Sequence, residues 1–321
     1  MKLRFPMMAM LVIAAAVISQ AWSARGSQEW PTLGQNDYSG YESRVLLEKE
    51  SLYHYIRVVE QHGIRRLQFR RSGSEYEESV INTHQPLKFE MYYYPLMFAA
   101  FAHKDDPRRI LFIGLGGGIL SMAIHHYFPD VSIDNIELDP DVVSVAKEYF
   151  GFKEDDSMRV YVRDGRVQAR RLLRDKTKYD IIFVDAFRGG YIPYHLTTKE
   201  FMECLKGLLT TDGVVVSNLR PGFESYHYHR RTFNAVFRNQ CSYGYGGNVI
   251  VIVDMREKPS TQKDLLASAR RLQRQKQFIL DLPAIIENGG AQNDYVREGP
   301  ILTDDYAPTD VLRSIPSDAG D

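Results

Sequence analysis

The sequence predicts an α/β protein: a doubly wound, mostly parallel sheet preceded by a small N-terminal antiparallel β-sheet. Three observations predict it. Apolar strands and helices alternate regularly between residues 110 and 254. A glycine run, Gly114 and then Gly116 to Gly118, follows the first of these strands, and an acid, Glu137, closes the second, 21 residues beyond Gly116. Glu137, Asp164 and Asp185 all fall at the carboxyl ends of predicted strands, where open α/β sheets bind their ligands.

Taken in order, Lys2 and Arg4 precede an apolar run over residues 5–18, and Ala21 and Ser23 are small residues at the two positions a signal peptidase reads. Residues 1–23 are therefore expected to be an export signal. An uncleaved N-terminal anchor is the alternative and the one route to membrane contact, although the run is short for a transmembrane helix. The expected compartment is periplasmic or extracellular, or cytoplasmic if the start is misassigned. Residues 24–42, rich in Gly, Ser, Gln and Asn, read as a flexible lead-in. Alternation over residues 44–47, 53–59 and 64–69, with Gly63 breaking the last pair, predicts an antiparallel sheet domain within residues 43–85. Residues 86–103 are apolar and aromatic at helical spacing.

Residues 86–256 then form the expected nucleoside-binding domain. Residues 110–113 read as a buried parallel strand, 119–128 as a helix, and 140–150 as a helix with Pro140 in its first turn. Strands over 159–162, 179–184 and 213–217 end at Asp164, Asp185 and Asn218; helices over 166–173, 198–209 and 223–238 alternate with them, and 248–254 is a late strand. Residues 257–321 hold a basic helix over 261–278, read as a solvated face, and a polar tail over 302–308 expected to fold back over the site.

With 321 residues, 44% of them hydrophobic, the chain can bury a full core. Forty basic against 41 acidic residues leave a formal charge of −1, which argues against bulk nucleic-acid binding. Cys204 and Cys241 stand far apart and outside any metal-ligand spacing, so buried free thiols are expected, with a single bridge as the alternative, and no metal site.

The glycine pattern narrows the ligand. A dinucleotide fingerprint carries glycine at its first, third and sixth positions, and the sixth here is Ile119. Consecutive glycines open the turn without marking a pyrophosphate seat. A phosphate-free nucleoside such as S-adenosylmethionine fits better than NAD, with the strand-tip acid Glu137 suited to ribose hydroxyls.

At this point the ordered motifs Ile113-Gly-Leu-Gly-Gly-Gly118, Ile136-Glu-Leu-Asp-Pro140, Val162-Arg-Asp-Gly165, Tyr179-Asp-Ile-Ile-Phe-Val-Asp185 and Leu208-Leu-Thr-Thr-Asp-Gly213 resemble the spermidine-synthase-like transferases. That group contains polyamine aminopropyltransferases and related methyltransferases. The resemblance spans residues 43–255, and the tail at 303–308 looks like the end of bacterial members. It implies a Rossmann-like, methyltransferase-type fold and S-adenosylmethionine or its decarboxylated form as co-substrate. By the resemblance, the turn with Gly114, Gly116 and Gly118 holds the methionine part of the donor, and Glu137 holds the ribose, with Asp139 of the same motif among the donor contacts. Asp164 and Gly165 face the adenine, and Asp185 is the catalytic acid. His54 stands where aminopropyltransferases have the Gln of a Tyr-Gln pair and is a further candidate donor contact.

The departures are informative. Ile119 replaces the acid that holds the donor's terminal amine, and Arg188 replaces a second acid three residues after the catalytic one. The family's Tyr-His-Glu segment is missing, and Met91-Tyr-Tyr-Tyr-Pro95 lies in that region. Polyamine ammonium groups need carboxylates in a desolvated groove. These differences place methyl transfer to an amine-type acceptor ahead of aminopropyl transfer to a polyamine, the reaction of spermidine synthase proper. The competing class is an exported protein that binds nucleosides or polyamines without turnover. The loop over 188–196, with Tyr191, Tyr194 and His195, is the expected acceptor wall. No partner beyond a small-molecule acceptor is implied, and a homodimer is allowed.

Overall fold

His62 and Gly63, with φ of 51° and 73°, make the two-residue turn between β2 (Tyr55–Gln61) and β3 (Ile64–Arg71). Two left-handed residues match the twist of a hairpin. With β1 (Arg44–Glu50) and β4 (Ser74–Asn82) these strands form an antiparallel sheet in the order β1-β2-β3-β4. The sequence reading misses β4, whose first half is charged. Its acids are matched across the ladder, Glu77 to Arg66 at 2.9 Å and Glu75 to Arg57 at 2.8 Å, and such cross-strand pairs let a charged segment join a sheet.

The computed structural model describes residues 43–308 except 72, 188–191, 245–246 and 291–294, together with residue 312. The export-signal and lead-in readings, and Arg188 and Tyr191, lie outside the described residues. Those described belong to one compact unit, Leu33–Asp321.

The helix expected over 86–103 is shorter and interrupted. α1 (Tyr94–Met97) and α2 (Ala100–His103) are single turns. Around them the N–H groups of Phe98, Ala99, Phe101 and Ala102 bond to carbonyls three residues back, the tighter 3-10 pattern. Packing rather than periodicity fixes this segment: Phe98 meets Phe278 at 5.5 Å and Phe101 stacks on Phe128 at 4.4 Å.

The alternation that follows is as expected except for β10 and α9, which the sequence reading does not contain: β5 (Arg109–Ile113), α3 (Ile119–Tyr127), β6 (Ser132–Glu137), α4 (Pro140–Tyr149), β7 (Met158–Val162), α5 (Gly165–Arg174), β8 (Tyr179–Val184), α6 (Lys199–Leu208), β9 (Leu209–Leu219), α7 (Ser225–Val236), β10 (Asn239–Tyr243), β11 (Val249–Asp254), α8 (Gln262–Lys276) and α9 (Leu282–Glu287). The strands form a seven-stranded sheet in the order β10-β11-β9-β8-β5-β6-β7. The five from β9 to β7 run parallel, and β11 is antiparallel to both neighbours. β10 is an edge strand that the sequence reading passes over. β8 is buried at every position, and α5, α6 and α7 cover one face through Leu172, Phe201, Leu205 and Phe233. Chain order reverses between β5 and β8, which opens a crevice at their carboxyl ends.

α8 buries Leu265, Ala269 and Leu272 and turns Arg270 and Arg271 to Glu287 and Asp105, as a solvated face does. Cys204 is buried and Cys241 half-buried, and both are free. Among the described residues no helix is long and apolar enough to cross a membrane.

Candidate active site

Strand register assembles the site. Ile113 pairs with Ile136 on one side and Val184 on the other, Glu137 with Val162, and Val184 with Ser217. The residues at and just beyond these ends stand in a row across the sheet: Asp164, Glu137, the glycine turn, Asp185, Asn218. At about 4.8 Å per strand, the row from Asp164 to Asp185 runs roughly 14 Å.

A cleft lies over this row. His54, Phe69, Glu78 and Ser79 form the wall from the small sheet, with Tyr93 and Tyr94 beside them. Gly114, Gly116, Glu137, Asp164, Gly165, Asp185 and His195 line the floor and far side.

Gly114 leaves β5 at φ +98°, and a Cβ there would lie 2.4 Å from the Asp185 carbonyl oxygen, so only glycine lets the turn pass beside β8. Gly118, read from the sequence as a donor contact, has a task in the framework. It caps α3 at φ +72° with the Phe152 ring 2.5 Å from where a Cβ would stand, and it is absent from the cleft lining.

Glu137 is 9% exposed and faces the cleft. Its Oε2 accepts from the Leu115 N–H and its Oε1 from the Asp139 N–H, each at 3.0 Å. Burial raises its pKa against the pull of these donors. A carboxylate has about four lone-pair sites, more than its backbone donors use, which leaves accepting capacity for a ligand hydroxyl. Asp139, also read from the sequence as a donor contact, is held in the framework. It is 1% exposed and outside the cleft lining, N-capping α4 through the Asp141 N–H and accepting from the Ser51 hydroxyl. An acid ahead of proline at a helix start serves as a cap first. Through Ser51, which bonds the His54 backbone, it fixes the loop that carries His54.

Asp164 N-caps α5, with Oδ1 accepting from the Val167 N–H at 2.9 Å and Oδ2 2.8 Å from His195 Nε2. The bond to His195 holds its carboxyl below the usual range. Gly165 lets the helix start close on the sheet, since a Cβ would lie 2.8 Å from Ile113 Cγ2. His54 lines the cleft with its ring stacked on Phe69 at 4.0 Å.

Asp185 sits at the tip of β8. Its Oδ1 accepts from Asn218 Nδ2 at 3.1 Å and its Oδ2 from the Tyr93 hydroxyl at 3.2 Å. Burial pushes its carboxyl up to about 6, with both bonds pulling the other way. A group that changes charge near neutrality can take a proton in chemistry near pH 7. Burial, helped by the charge of Asp185, raises the Tyr93 hydroxyl, which keeps it a donor.

Tyr93 and Asn218 are site residues that sequence reasoning leaves unassigned. Asn218 carries the same signal as the acids, a polar residue ending a buried strand. Tyr93 lies in an aromatic run whose spacing suggests core. Ser79 is a third, its Oγ accepting from the Gly117 N–H at 2.8 Å. Tyr194 is exposed and does not line the cleft, whereas His195 does. The tail folds back beside the site rather than over it. Asp304 takes two bonds from Arg166, at 2.7 and 2.5 Å, and one from Thr198 at 2.7 Å, and Arg166 also donates to the His195 carbonyl.

Fold and site together define a Rossmann-like α/β transferase with an acidic strand-end cleft. The family model of the spermine/spermidine synthase domain matches residues 90–264. The polyamine aminopropyltransferase of Vibrio vulnificus (strain CMCP6) is 31% identical over 281 residues, covering 85% of this chain and 92% of that protein. The chain belongs to the spermine/spermidine synthase family. Among solved structures, human methyltransferase-like protein 13 in complex with SAH is similar at 26% identity and a TM-score of 0.53, over 58% of this chain and 93% of that one. Spermidine synthase from Thermotoga maritima shares the fold at 20% identity and a TM-score of 0.58, over 76% and 84%.

Proposed function

We propose that this transferase moves an aminopropyl group from decarboxylated S-adenosylmethionine to an amine. The observation that carries the reading is the charge of the cleft: its described lining holds four carboxylates, Glu78, Glu137, Asp164 and Asp185, and no Arg or Lys. The two candidate donors share a nucleoside and a sulfonium and differ at the tail. S-adenosylmethionine ends in a carboxylate and an ammonium, its decarboxylated form in an ammonium alone. An acid-lined, partly desolvated cleft opposes the first tail and attracts the second. Glu78 and Asp185 both act electrostatically on the Tyr93 and Tyr94 hydroxyls, so two acids bracket that end of the cleft. Glu78 thereby supplies the charge that Ile119 does not.

In this reading the adenine rests by Asp164 and Gly165, the ribose hydroxyls donate to Glu137, and the chain beyond sulfur runs along Gly114 and Gly116. The acceptor arrives as an ammonium with a free pKa of about 10 and gives its proton to Asp185. Its nitrogen lone pair attacks the methylene carbon next to sulfur. The C–N bond forms as the C–S bond breaks, and the sulfonium leaves as a neutral thioether. The donor is already activated, so alignment is the larger contribution, on the order of 7–11 kcal/mol in well-oriented cases.

This order differs from the sequence expectation, which rests on Ile119. Methyl transfer stays as the second reading because residue 119 offers no acid beside the tail, and because human methyltransferase-like protein 13, solved with SAH, is similar. Incubating the purified protein with an amine panel and each labelled donor separates them. Label from the decarboxylated donor alone supports the first reading, and methyl label alone overturns it. Donor binding with no product across the panel would leave a non-catalytic binding protein.

A further inference from the structure

The Asp185 carboxylate ends a hydrogen-bonded string that reaches the protein surface. Asn218 Nδ2 donates to Asp185 Oδ1 at 3.1 Å, Asn248 Nδ2 donates to Asn218 Oδ1 at 2.7 Å, and the Tyr92 hydroxyl donates to Asn248 Oδ1 at 2.6 Å. The members come from three separate places: Tyr92 lies ahead of α1, Asn218 in β9, and Asn248 immediately before β11. Antiparallel register pairs Asn218 with Ile250, which puts Asn248, two residues earlier, on the same face of the sheet. Tyr92 is 55% exposed at the outer end.

Chemistry gives the string one sense. An ionised carboxylate only accepts, so Asn218 turns its amide nitrogen to Asp185 and its oxygen away. That oxygen requires a donor, so Asn248 also turns its nitrogen inward. The oxygen that Asn248 leaves outward meets a hydroxyl with a proton to give. Reversing Asn218 would set oxygen against oxygen at Asp185 and nitrogen against nitrogen at Asn248, and reversing Asn248 would set its oxygen against the Asn218 oxygen.

We infer that Tyr92 and Asn248 are positioning residues for the transfer, acting through Asn218 to lock the Asp185 carboxylate in one orientation and favour its ionised form. The inference rests on Asp185 as the proton acceptor of the proposed reaction. Aligned donors polarise one another towards the charge at their end. The other groups around this string are Tyr93, which donates to the second oxygen, Tyr94 beside it at 4.8 Å between rings, Glu78, which acts on both tyrosines, and Arg220, which acts on Tyr92. Of these only Arg220 is cationic, and it lies at the outer end. The donors that directly meet Asp185 are neutral.

The test is the titration of Asp185 in protein labelled with carbon-13 at aspartate carboxyls, the resonance being identified by its loss in Asp185→Asn. The midpoint is expected to rise by about one pH unit in Asn218→Leu, about half a unit in Asn248→Leu and a few tenths in Tyr92→Phe, one unit being about 1.4 kcal/mol, within the range of a single hydrogen bond. The acid limb of kcat should move in the same order, with KM for the donor within about twofold of the parent because the nucleoside end is untouched. A midpoint that stays in place in Asn248→Leu or in Tyr92→Phe overturns the inference and leaves Asn218 acting alone. If Asn248→Leu fails to fold, Tyr92→Phe at its exposed position decides. The titration needs no turnover, so a failure to find product with any donor breaks the functional reading and is told apart from a failure of the string.

Discussion

The two ends of the cleft are held by different means. At the proposed nucleoside end the acids are fixed mostly by backbone: Glu137 by the Leu115 and Asp139 N–H groups, and Asp164 by the Val167 N–H, with His195 its one side-chain partner among these bonds. At the acceptor end Asp185 is fixed by side chains, Tyr93 and Asn218, which lie 92 and 33 residues away. The first arrangement follows from the strand–turn–helix geometry itself. The second exists only after three distant segments have packed. The nucleoside end should therefore tolerate change in neighbouring side chains, and the acceptor end should be sensitive to it.

The largest expected effect breaks one end and spares the other. Asp185→Asn should lower kcat by about 10²–10⁴, as loss of a general base does, with methylthioadenosine affinity unchanged by calorimetry. Equal loss of rate and affinity would erase the distinction between the ends. In the parent protein kcat/KM should rise with pH through about 6 and then level. The stability consequence has the opposite sense. The folded pKa lies above the ordinary value of 3.8, so the folded state keeps a proton that the unfolded state has lost. Asp185 thus costs stability as pH rises from about 4 to about 6, and Asp185→Asn should unfold later than the parent at pH 7, by on the order of 1–2 kcal/mol.

Glu137→Ala is the reciprocal break. Losing a charged hydrogen-bond acceptor should weaken methylthioadenosine binding tenfold to a hundredfold, about 1.5–3 kcal/mol, while leaving the acid limb set by Asp185 in place. Unchanged affinity would sink the ribose assignment. Gly114→Ala strikes the turn that both ends share. A methyl group aimed at the Asp185 carbonyl from a left-handed residue should cost about 1–3 kcal/mol in denaturant unfolding. An unfolding midpoint equal to the parent's would show that the turn has room to move. The smallest effect is expected at Asp304→Asn. Arg166 holds the Asp304 carboxyl down to about 2, so its contribution is present above pH 4 and fades as pH falls through about 2. With its side chain 40% exposed, screening leaves about 0.5 kcal/mol, readable as a slight fall in Tm at pH 7.

The grouping of Gly114, Glu137 and Asp164 in one cleft is legible in the sequence because its signals are local. Glycines, a strand-tip acid and an Asp-Gly helix start sit at fixed offsets that the βαβ geometry imposes. The same local signals carry two meanings at Asp139 and Gly118, where a cap and a close approach to Phe152 need the same residue types as a donor contact. β4 hides because Ser74-Glu-Tyr-Glu-Glu78 shows no apolar alternation, and its strand character depends on Arg57 and Arg66 across the sheet. The aromatic run before α1 reads as a regular helix because spacing cannot register where Phe278 presses on Phe98. Asn248 and Tyr92 are illegible for a plainer reason, since they become neighbours only across 156 residues of chain.

The matched family domain begins at residue 90, yet His54, Phe69, Glu78 and Ser79 come from strands and loops that end by Asn82. A chain shortened to the recognised domain would keep every strand of the large sheet and lose the roof of its own chamber. Its glycine turn would lose the Ser79 oxygen that now receives the Gly117 N–H and would stand open to water. In the proposed reading the transfer site is complete only with both sheets, and a fragment that keeps the cleft lining has to start ahead of the first hairpin.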